Sequence, residues 1–194
     1  GIAPWLFVRC GASIRAGLAA VSAWFFIRSG PFLGGASAFS WKHAASGLTD
    51  RPTRLANFGY FGHMWELYAV WAWAPIMLLV SYKEAGLSEQ MARFAAFGLF
   101  VTGAFGSTLA GIYADRLGRT RITAVALAIS GVCCAVVGLI IHQPILLTIV
   151  CLLWGFAVIA DSAQFSAAVS ELADSSYVGT ALQVQTSLGF LLTL

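Results

Sequence analysis

The chain has 194 residues, 59% of them hydrophobic and 10% charged, and its formal net charge is +3. An average soluble domain carries roughly 25% charged residues, so this composition excludes a protein whose whole surface faces water. The charge is modest and no basic stripe is interleaved with aromatic residues, which excludes a nucleic-acid-binding surface. We therefore expect the lipid bilayer to be the main partner of the chain.

Six apolar stretches are candidate transmembrane helices, because a helix needs about 20 apolar residues to cross the ~30 Å hydrocarbon core. In chain order they cover residues 11–27 (or from as early as Trp5), 55–82, 91–114, 122–141, 144–168 and 178–194. The pattern predicts an all-α integral membrane protein with a bundle of about six transmembrane helices. Since the last stretch is still apolar at Leu194, we expect the chain to be a fragment of a larger membrane protein.

The connections between the spans predict their orientation. The connection 28–54 carries four basic residues and one acidic residue, and the turn 111–121 carries three arginines and one aspartate. The positive-inside rule places both in the cytoplasm, and alternation adds 170–177, although Glu171 and Asp174 make it acidic. The predicted division is a transmembrane helix from the end of a first bundle (1–27), a cytoplasmic central loop (28–54) and a second bundle (55–194). The loop holds either a short helix on the membrane surface or a plain linker.

The sequence GIYADRLGRTR at 111–121 separates two apolar spans with a short charged turn. Gly103, Ser107 and Gly111 recur at four-residue spacing, which lets helix backbones approach closely, and Gly118 permits the positive φ of a tight reversal. We expect Asp115 to lie at the membrane surface, where it can face a helix N-terminus. We expect the arginines to pair with carboxylates or lipid phosphates. The candidate residues of this turn are Gly111, Asp115, Arg116, Gly118, Arg119 and Arg121. The alternative is a turn whose arginines only satisfy the positive-inside rule.

The stretch GIYADRLGR resembles the cytoplasmic signature of the major facilitator superfamily, which lies between the second and third helices of each six-helix half. Thr120 departs from the common pattern, because a second basic residue is frequent there, and Arg121 follows one place later. One span and a long basic connection precede the bundle, so the resemblance implies helices six to eleven of a transporter. It also implies that the N-terminal half lies outside this chain and holds the partner of Asp115.

Polar residues at depth in the apolar spans form the candidate functional site. His63 and Glu66 lie three residues apart in the second span, and Asp161 and Gln164 do so in the fifth, so each pair shares a helix face. A charge at the bilayer centre costs roughly 2.5–3.5 kcal/mol, and the helical rise places both pairs at nearly the same depth. We expect them to line a common aqueous cavity that binds substrate, a proton or both. The alternative is that they pair with each other or with missing helices and only hold the bundle together.

Other polar residues are weaker candidates. Arg15 is placed near the outer end of the first span, where a long side chain can reach the membrane surface. Asn57, Tyr68, Gln183 and Gln185 are expected to be interhelical hydrogen-bond partners. The resemblance agrees with the choice of polar spans, because in the family helices one, four, seven and ten line the transport path, and the two polar spans would be seven and ten.

These features predict a secondary active transporter that moves a small molecule or ion by alternating access, coupled to protons, in a bacterial plasma (inner) membrane. The sequence has no phosphate-binding G-x-x-x-x-G-K-[ST] loop and no HExxH, CxxC or GxSxG motif, so we expect neither ATP-driven transport nor an enzyme. The four cysteines have no histidine or carboxylate at ligand spacing, so no metal or other cofactor is predicted. The alternatives are an integral membrane sensor or enzyme, or an inert fragment of a transporter.

Overall fold

The structure is a computed structural model that describes residues 4–27 and 40–194. Within these residues the regular structure is entirely helical, and the chain divides into two compact units, Gly1–Ala36 and Ser37–Leu194. Five helical segments in the described part are long and apolar enough to cross a membrane: Leu6–Phe26, Arg51–Glu84, Glu89–Leu117, Arg119–Ile140 and Pro144–Leu172. The chain is therefore all-helical, with the composition of a membrane protein. Residues 28–39 of the predicted loop lie outside the described residues.

The first unit contains a single described helix, α1, Pro4–Phe26. Its 23 residues rise about 34 Å, enough to cross the bilayer. The helix begins close to the earlier of the two predicted starts. The prediction that Arg15 lies near the outer end of this span stays a prediction.

The described residues of the second unit, 40–194, form seven α-helices. They are α2 Trp41–Thr49, α3 Arg51–Glu84, α4 Glu89–Leu117, α5 Arg119–Val137, α6 Pro144–Ala160, α7 Ser162–Leu172 and α8 Val178–Leu191, and a 3₁₀ turn, Gly138–Ile140, extends α5. The sixth predicted span corresponds to α8, whose 14 residues reach only about 21 Å. Five of the six predicted spans correspond to described helices that are long enough to cross a membrane, and the sixth stays a prediction.

Local sequence explains where two of the long helices begin. Asp50 caps α3, since its Oδ2 accepts hydrogen bonds from the backbone N and the hydroxyl of Thr53 at 3.2 and 2.8 Å. A proline in the first turn, Pro52, needs no helical hydrogen bond there. The cap therefore starts the helix at Arg51, before the apolar run at Leu55 that marked the predicted start. Ser88 caps α4 in the same way by accepting from the backbone N of Gln90 at 3.2 Å.

The helices α4 and α6 make the most extensive contact in the second unit. A Cβ atom added at Gly103 would meet the side chain of Ile159, one at Gly106 would meet the carbonyl of Phe156, and one at Gly155 would meet the carbonyl of Leu99. Close approach at Gly103 was predicted correctly. The same prediction for Gly111 is wrong, because a Cβ there would meet no atom within 4 Å.

Side-chain contacts sort the connections between helices into two groups at opposite ends of the unit. Arg119 Nε lies 2.9 Å from Glu171 Oε1, and the rings of His43 and Tyr177 stack with centroids 3.5 Å apart. These contacts bring residues 41–54, 111–121 and 170–177 together at what we call the basic end. At the opposite end, His142 Nδ1 lies 2.8 Å from Glu84 Oε2. This grouping agrees with the alternation expected from the sequence.

The described part of the predicted loop contains a short helix, α2, rather than a plain linker, and its place on the membrane surface stays a prediction. Its buried face contains Ala44 and Gly47, and Asn57 of α3 donates a hydrogen bond from Nδ2 to the carbonyl of Gly47 at 2.8 Å. Trp41 lies on the exposed side of the helix. The described part of the central loop is therefore folded onto the second unit at the basic end.

Candidate intramembrane polar site

The first part of the site is a contact between His63 of α3 and Asp161. His63 Nδ1 lies 2.9 Å from Asp161 Oδ1, and the two side chains are 0% and 2% exposed. The distance is that of a close ion pair, whereas neither atom meets the angular requirement for a hydrogen bond. The contact is thus mainly electrostatic, and it is an ion pair when His63 is protonated. It also brings one predicted residue of the second span and one of the fifth to the same level of the bundle.

The position of Asp161 is set by a break in the fifth predicted span. The helix α6 ends at Ala160 and α7 begins at Ser162, so Asp161 stands between them with φ −88° and ψ −15°. The two helices together form one candidate membrane span, Pro144–Leu172, in agreement with the span predicted over 144–168. Asp161 keeps helical backbone angles at this interruption, and its carboxylate faces His63 of α3.

The second part of the site joins three helices through Glu66. Its Oε1 accepts hydrogen bonds from Ser130 Oγ of α5 at 2.5 Å and from Trp154 Nε1 of α6 at 3.1 Å. Trp154 Nε1 also lies 3.0 Å from Ser130 Oγ. Ser130 and Trp154 are buried, while Glu66 is partly exposed. One carboxylate oxygen of Glu66 therefore accepts from two donors, and the residue stays partly exposed.

Sequence reasoning missed Ser130 and Trp154 because it searched the spans for charged residues. An available signal was that a buried carboxylate needs hydrogen-bond donors, which a hydroxyl or an indole N–H can supply. Ser130 stands in an apolar run, AVALAISGV, and Trp154 stands in LLWGF. Several hydroxyls and indoles lie in these spans, so the sequence alone could not have chosen between them.

Gln164 belongs to a different cluster from the one predicted. Its Oε1 accepts a hydrogen bond from Arg119 Nη1 at 3.0 Å, and Arg119 Nε donates to Glu171 Oε1 at 2.9 Å. The expectation that Gln164 shares a site with Asp161 rested on their three-residue spacing. The two side chains contact different partners, since Asp161 lies against His63 and Gln164 bonds to Arg119.

Within the charged turn, the contact with another helix in the described part of the chain is made by Arg119. Asp115 is 73% exposed, and its Oδ1 lies 3.6 Å from Nη2 of Arg119 in the same turn. Gly118 has φ +91°, as predicted, and separates α4 from α5. Arg116 and Arg121 are exposed. The further partner of Asp115 that the resemblance implies stays a prediction, since it would lie outside this chain.

The weaker candidates fall in three places. Asn57 bonds to α2, as described above, and the ring of Tyr68 lies 5.5 Å from Trp71 and 6.0 Å from Phe190. Gln183 lines a cleft between α2 and α8. Gln185 is fully buried on α8, and both atoms of its amide lack a hydrogen-bond partner among the described residues. The contact between α3 and α8 therefore buries polar side chains as well as apolar ones.

Arg119 offers a first test of the contacts at the basic end. We expect Arg119→Gln to lower the free energy of unfolding by about 1–2 kcal/mol, because it removes charge-assisted hydrogen bonds at a partly exposed position. Arg119→Lys should recover only part of the loss, because an ammonium cannot reproduce the guanidinium geometry. Arg116→Gln, three residues away and exposed, is the matched control and should change the unfolding free energy by less than about 0.5 kcal/mol. Equal effects of the Arg119 and Arg116 variants on unfolding in detergent would contradict this assignment.

Comparison of the chain with protein-family models, curated proteins and solved structures found no match. The fold and the site define an all-helical chain with membrane-length helices that enclose paired ionisable groups. Its chemistry therefore has to be inferred from these residues.

Proposed function

We propose that this chain is part of a secondary active transporter of the major facilitator type, which moves a small solute by alternating access with proton coupling. The observation that carries the proposal is the pair of adjoining polar clusters, His63–Asp161 and Glu66–Ser130–Trp154, inside helices of membrane length. Ionisable groups at such depth are costly and mark ion or substrate pathways in membrane proteins. The expected location is a bacterial plasma membrane.

The family assignment rests on the charged turn. GIYADRLGR occupies the junction of α4 and α5 at the basic end, and Arg119 from this turn contacts Gln164 and Glu171 of α7. The turn therefore touches the helix that follows the break at Asp161. A change in the packing of α6 and α7 at that break would alter the contacts of Arg119, which connects the polar site to the surface turn.

Proton coupling follows from the way in which Glu66 joins three helices. Its ionised carboxylate accepts from Ser130 of α5 and Trp154 of α6, and hydrogen bonds to an ionised group are roughly twice as strong as neutral ones. Protonation of Glu66 removes that charge and weakens the contact of α3 with α5 and α6. The solute binds in the space that the rearranged helices open, and the proton determines which packing is the more stable.

Solute-driven proton movement tests this proposal. The protein, with any further segments that its gene encodes, is reconstituted into vesicles that contain a pH-sensitive dye, and panels of organic anions, organic cations, sugars and amino acids are added outside. We expect one class of solute to change the internal pH. Glu66→Gln should abolish the change, because the amide keeps an acceptor oxygen for Ser130 and Trp154 but cannot carry the proton.

The matched control is Glu84→Gln, which alters a partly exposed carboxylate at the end of the same helix and should leave solute-driven proton flux intact. A thermal unfolding profile of Glu66→Gln close to that of the parent shows that the variant is folded. The proposal fails if no solute class moves protons, or if Glu66→Gln transports as the parent does. Solute binding without transmembrane flux would favour a membrane sensor instead.

A further inference from the structure

A groove lies between α4 and α5 in the second unit, with α6 as its floor. Both helices pack more extensively on α6 than on each other, so a space of about 190 Å³ remains between them. We call this space the α4–α5 groove. Its lining side chains are apolar except for the hydroxyl of Tyr113, and five of the lining residues are small: Gly106, Ala110, Ala126, Ala157 and Ala160. The small residues of three helices therefore leave room for a narrow apolar group.

The α4–α5 groove runs from the charged turn into the apolar part of the unit. Tyr113 of α4 and Ile122 of α5 line it closest to the turn, and Gly106 and Ile129 line its inner end. Each pair on one helix is seven residues apart, which corresponds to about 10 Å. Both helices have the length and apolarity of membrane spans. The groove therefore begins at the basic end and enters the hydrocarbon region by about two helical turns.

An arginine lies above each lip of the groove at the basic end. Arg116 follows Tyr113 by three residues on α4, and Arg121 precedes Val125 by four residues on α5. Residues at these spacings are neighbours on the surface of a helix. Both arginines are exposed, and both lip residues line the groove. Two guanidinium groups therefore border the mouth of an apolar space.

The carboxylates near the turn do not compensate these two arginines. Asp115 Oδ1 lies 3.6 Å from Nη2 of Arg119, and Glu171 Oε1 lies 2.9 Å from Nε of the same arginine. Among residues 4–27 and 40–194, Arg116 and Arg121 form no ion pair. Their positive charges are therefore available to an anion at the membrane surface.

We propose that the α4–α5 groove binds one acyl chain of an anionic phospholipid, whose phosphate contacts Arg116 and Arg121. The planar guanidinium matches the geometry of a phosphate, and basic side chains at the membrane surface attract anionic lipids. An α-helix is about 10–12 Å across with its side chains, which is too wide for the cavity. The helix α1 also lacks the required charge, since it contains two arginines and no acidic residue. The inference does not depend on the proposed transport function.

Photocrosslinking with two lipids tests the proposal. The protein, with any further segments that its gene encodes, is reconstituted into vesicles of equal parts phosphatidylglycerol and phosphatidylcholine. In parallel samples one lipid or the other carries a diazirine within its acyl chain, and adducts are located by mass spectrometry. We expect phosphatidylglycerol to label the lining residues Ala126 and Ala160 at least about tenfold more than phosphatidylcholine does. Phe105, which is exposed on α4 and does not line the groove, should show no such preference.

Variants of the two arginines show whether their charge selects the lipid. Arg116→Gln combined with Arg121→Gln should reduce the phosphatidylglycerol adducts in the groove at least about tenfold, since each basic side chain near a membrane surface contributes about a factor of five. Lys42→Gln combined with Arg51→Gln is the matched control, because it removes the same charge from exposed positions at the basic end. This control should keep the lipid preference.

Three results would overturn the proposal. Equal labelling of the groove by the two lipids would mean that the headgroup charge does not matter. A preference that survives in the arginine double variant, or that disappears equally in the control, would mean that Arg116 and Arg121 do not hold the phosphate. The absence of lipid adducts in the groove would mean that α1 or another protein segment covers it.

Discussion

Replacing His63 with leucine is expected to destabilise the helix bundle by about 3–5 kcal/mol, the usual cost of removing one partner from a buried ion pair. The reason is that Asp161, whose side chain is 2% exposed, loses the group 2.9 Å from its Oδ1 and gains no access to water. The double variant His63→Leu with Asp161→Leu should recover most of this loss, because it removes both buried polar groups together.

The cysteines of the chain provide the measurement. Cys133 and Cys151 are buried, whereas Cys10 and Cys134 are exposed, so changing the exposed pair to serine leaves two thiols that react with a thiol-specific fluorophore on unfolding. In detergent, the temperature of half-reaction should fall by roughly 6–20 °C in His63→Leu. A shift of less than about 2 °C, or a double variant less stable than either single one, would mean that the two residues do not stabilise each other.

Hydropathy and charge predicted those features of the fold that depend on composition along the chain. The long helices α3 and α4 follow from apolar runs of sufficient length, and the reversal at Gly118 follows from the freedom of glycine at positive φ. The common depth of His63 and Asp161 could be estimated from the helical rise alone. These properties are local or depend on one coordinate, the distance along the membrane normal.

The choice of neighbour for each polar side chain could not be predicted in the same way. Glu66 bonds to Ser130 and Trp154, which lie on two different helices, and no sequence spacing relates residues on separate helices. Gln164 was assigned to the cluster of Asp161, whereas its side chain bonds to Arg119. Which residue a side chain contacts depends on how the neighbouring helices pack around its own helix. The sequence therefore predicted the position of the site along the membrane normal but not the residues that contact each other.

The glycines of α4 illustrate how a small error in period misplaces a contact. The sequence prediction followed Gly103, Ser107 and Gly111, a repeat of four residues. An α-helix has 3.6 residues per turn, so each step of four rotates the position by about 40°, and Gly111 has turned away from α6. The buried face instead follows Leu99, Gly103, Gly106, Ala110 and Ala114, whose steps of four, three, four and four residues stay on one side of the helix.

The different surroundings of these glycines predict different effects on stability when each of two glycines of α4 is replaced by alanine. Gly106→Ala is expected to destabilise the bundle by about 1–3 kcal/mol or more, the cost of overpacking a core. The added Cβ would meet the backbone carbonyl of Phe156 on α6, which cannot move aside as a flexible side chain can. The two helices must then separate along their most extensive contact.

Gly111→Ala makes the same chemical change in the same helix, where a Cβ would meet no atom within 4 Å. It should be neutral or stabilise the bundle by up to about 1 kcal/mol, because alanine favours the helix over glycine. The same thiol-reaction assay applies, since Cys151 lies on α6 and is buried. Equal stability of the two variants would show that α4 and α6 do not approach at Gly106. If Gly111→Ala were the more destabilising variant, the close contact would follow the repeat of Gly103, Ser107 and Gly111 instead.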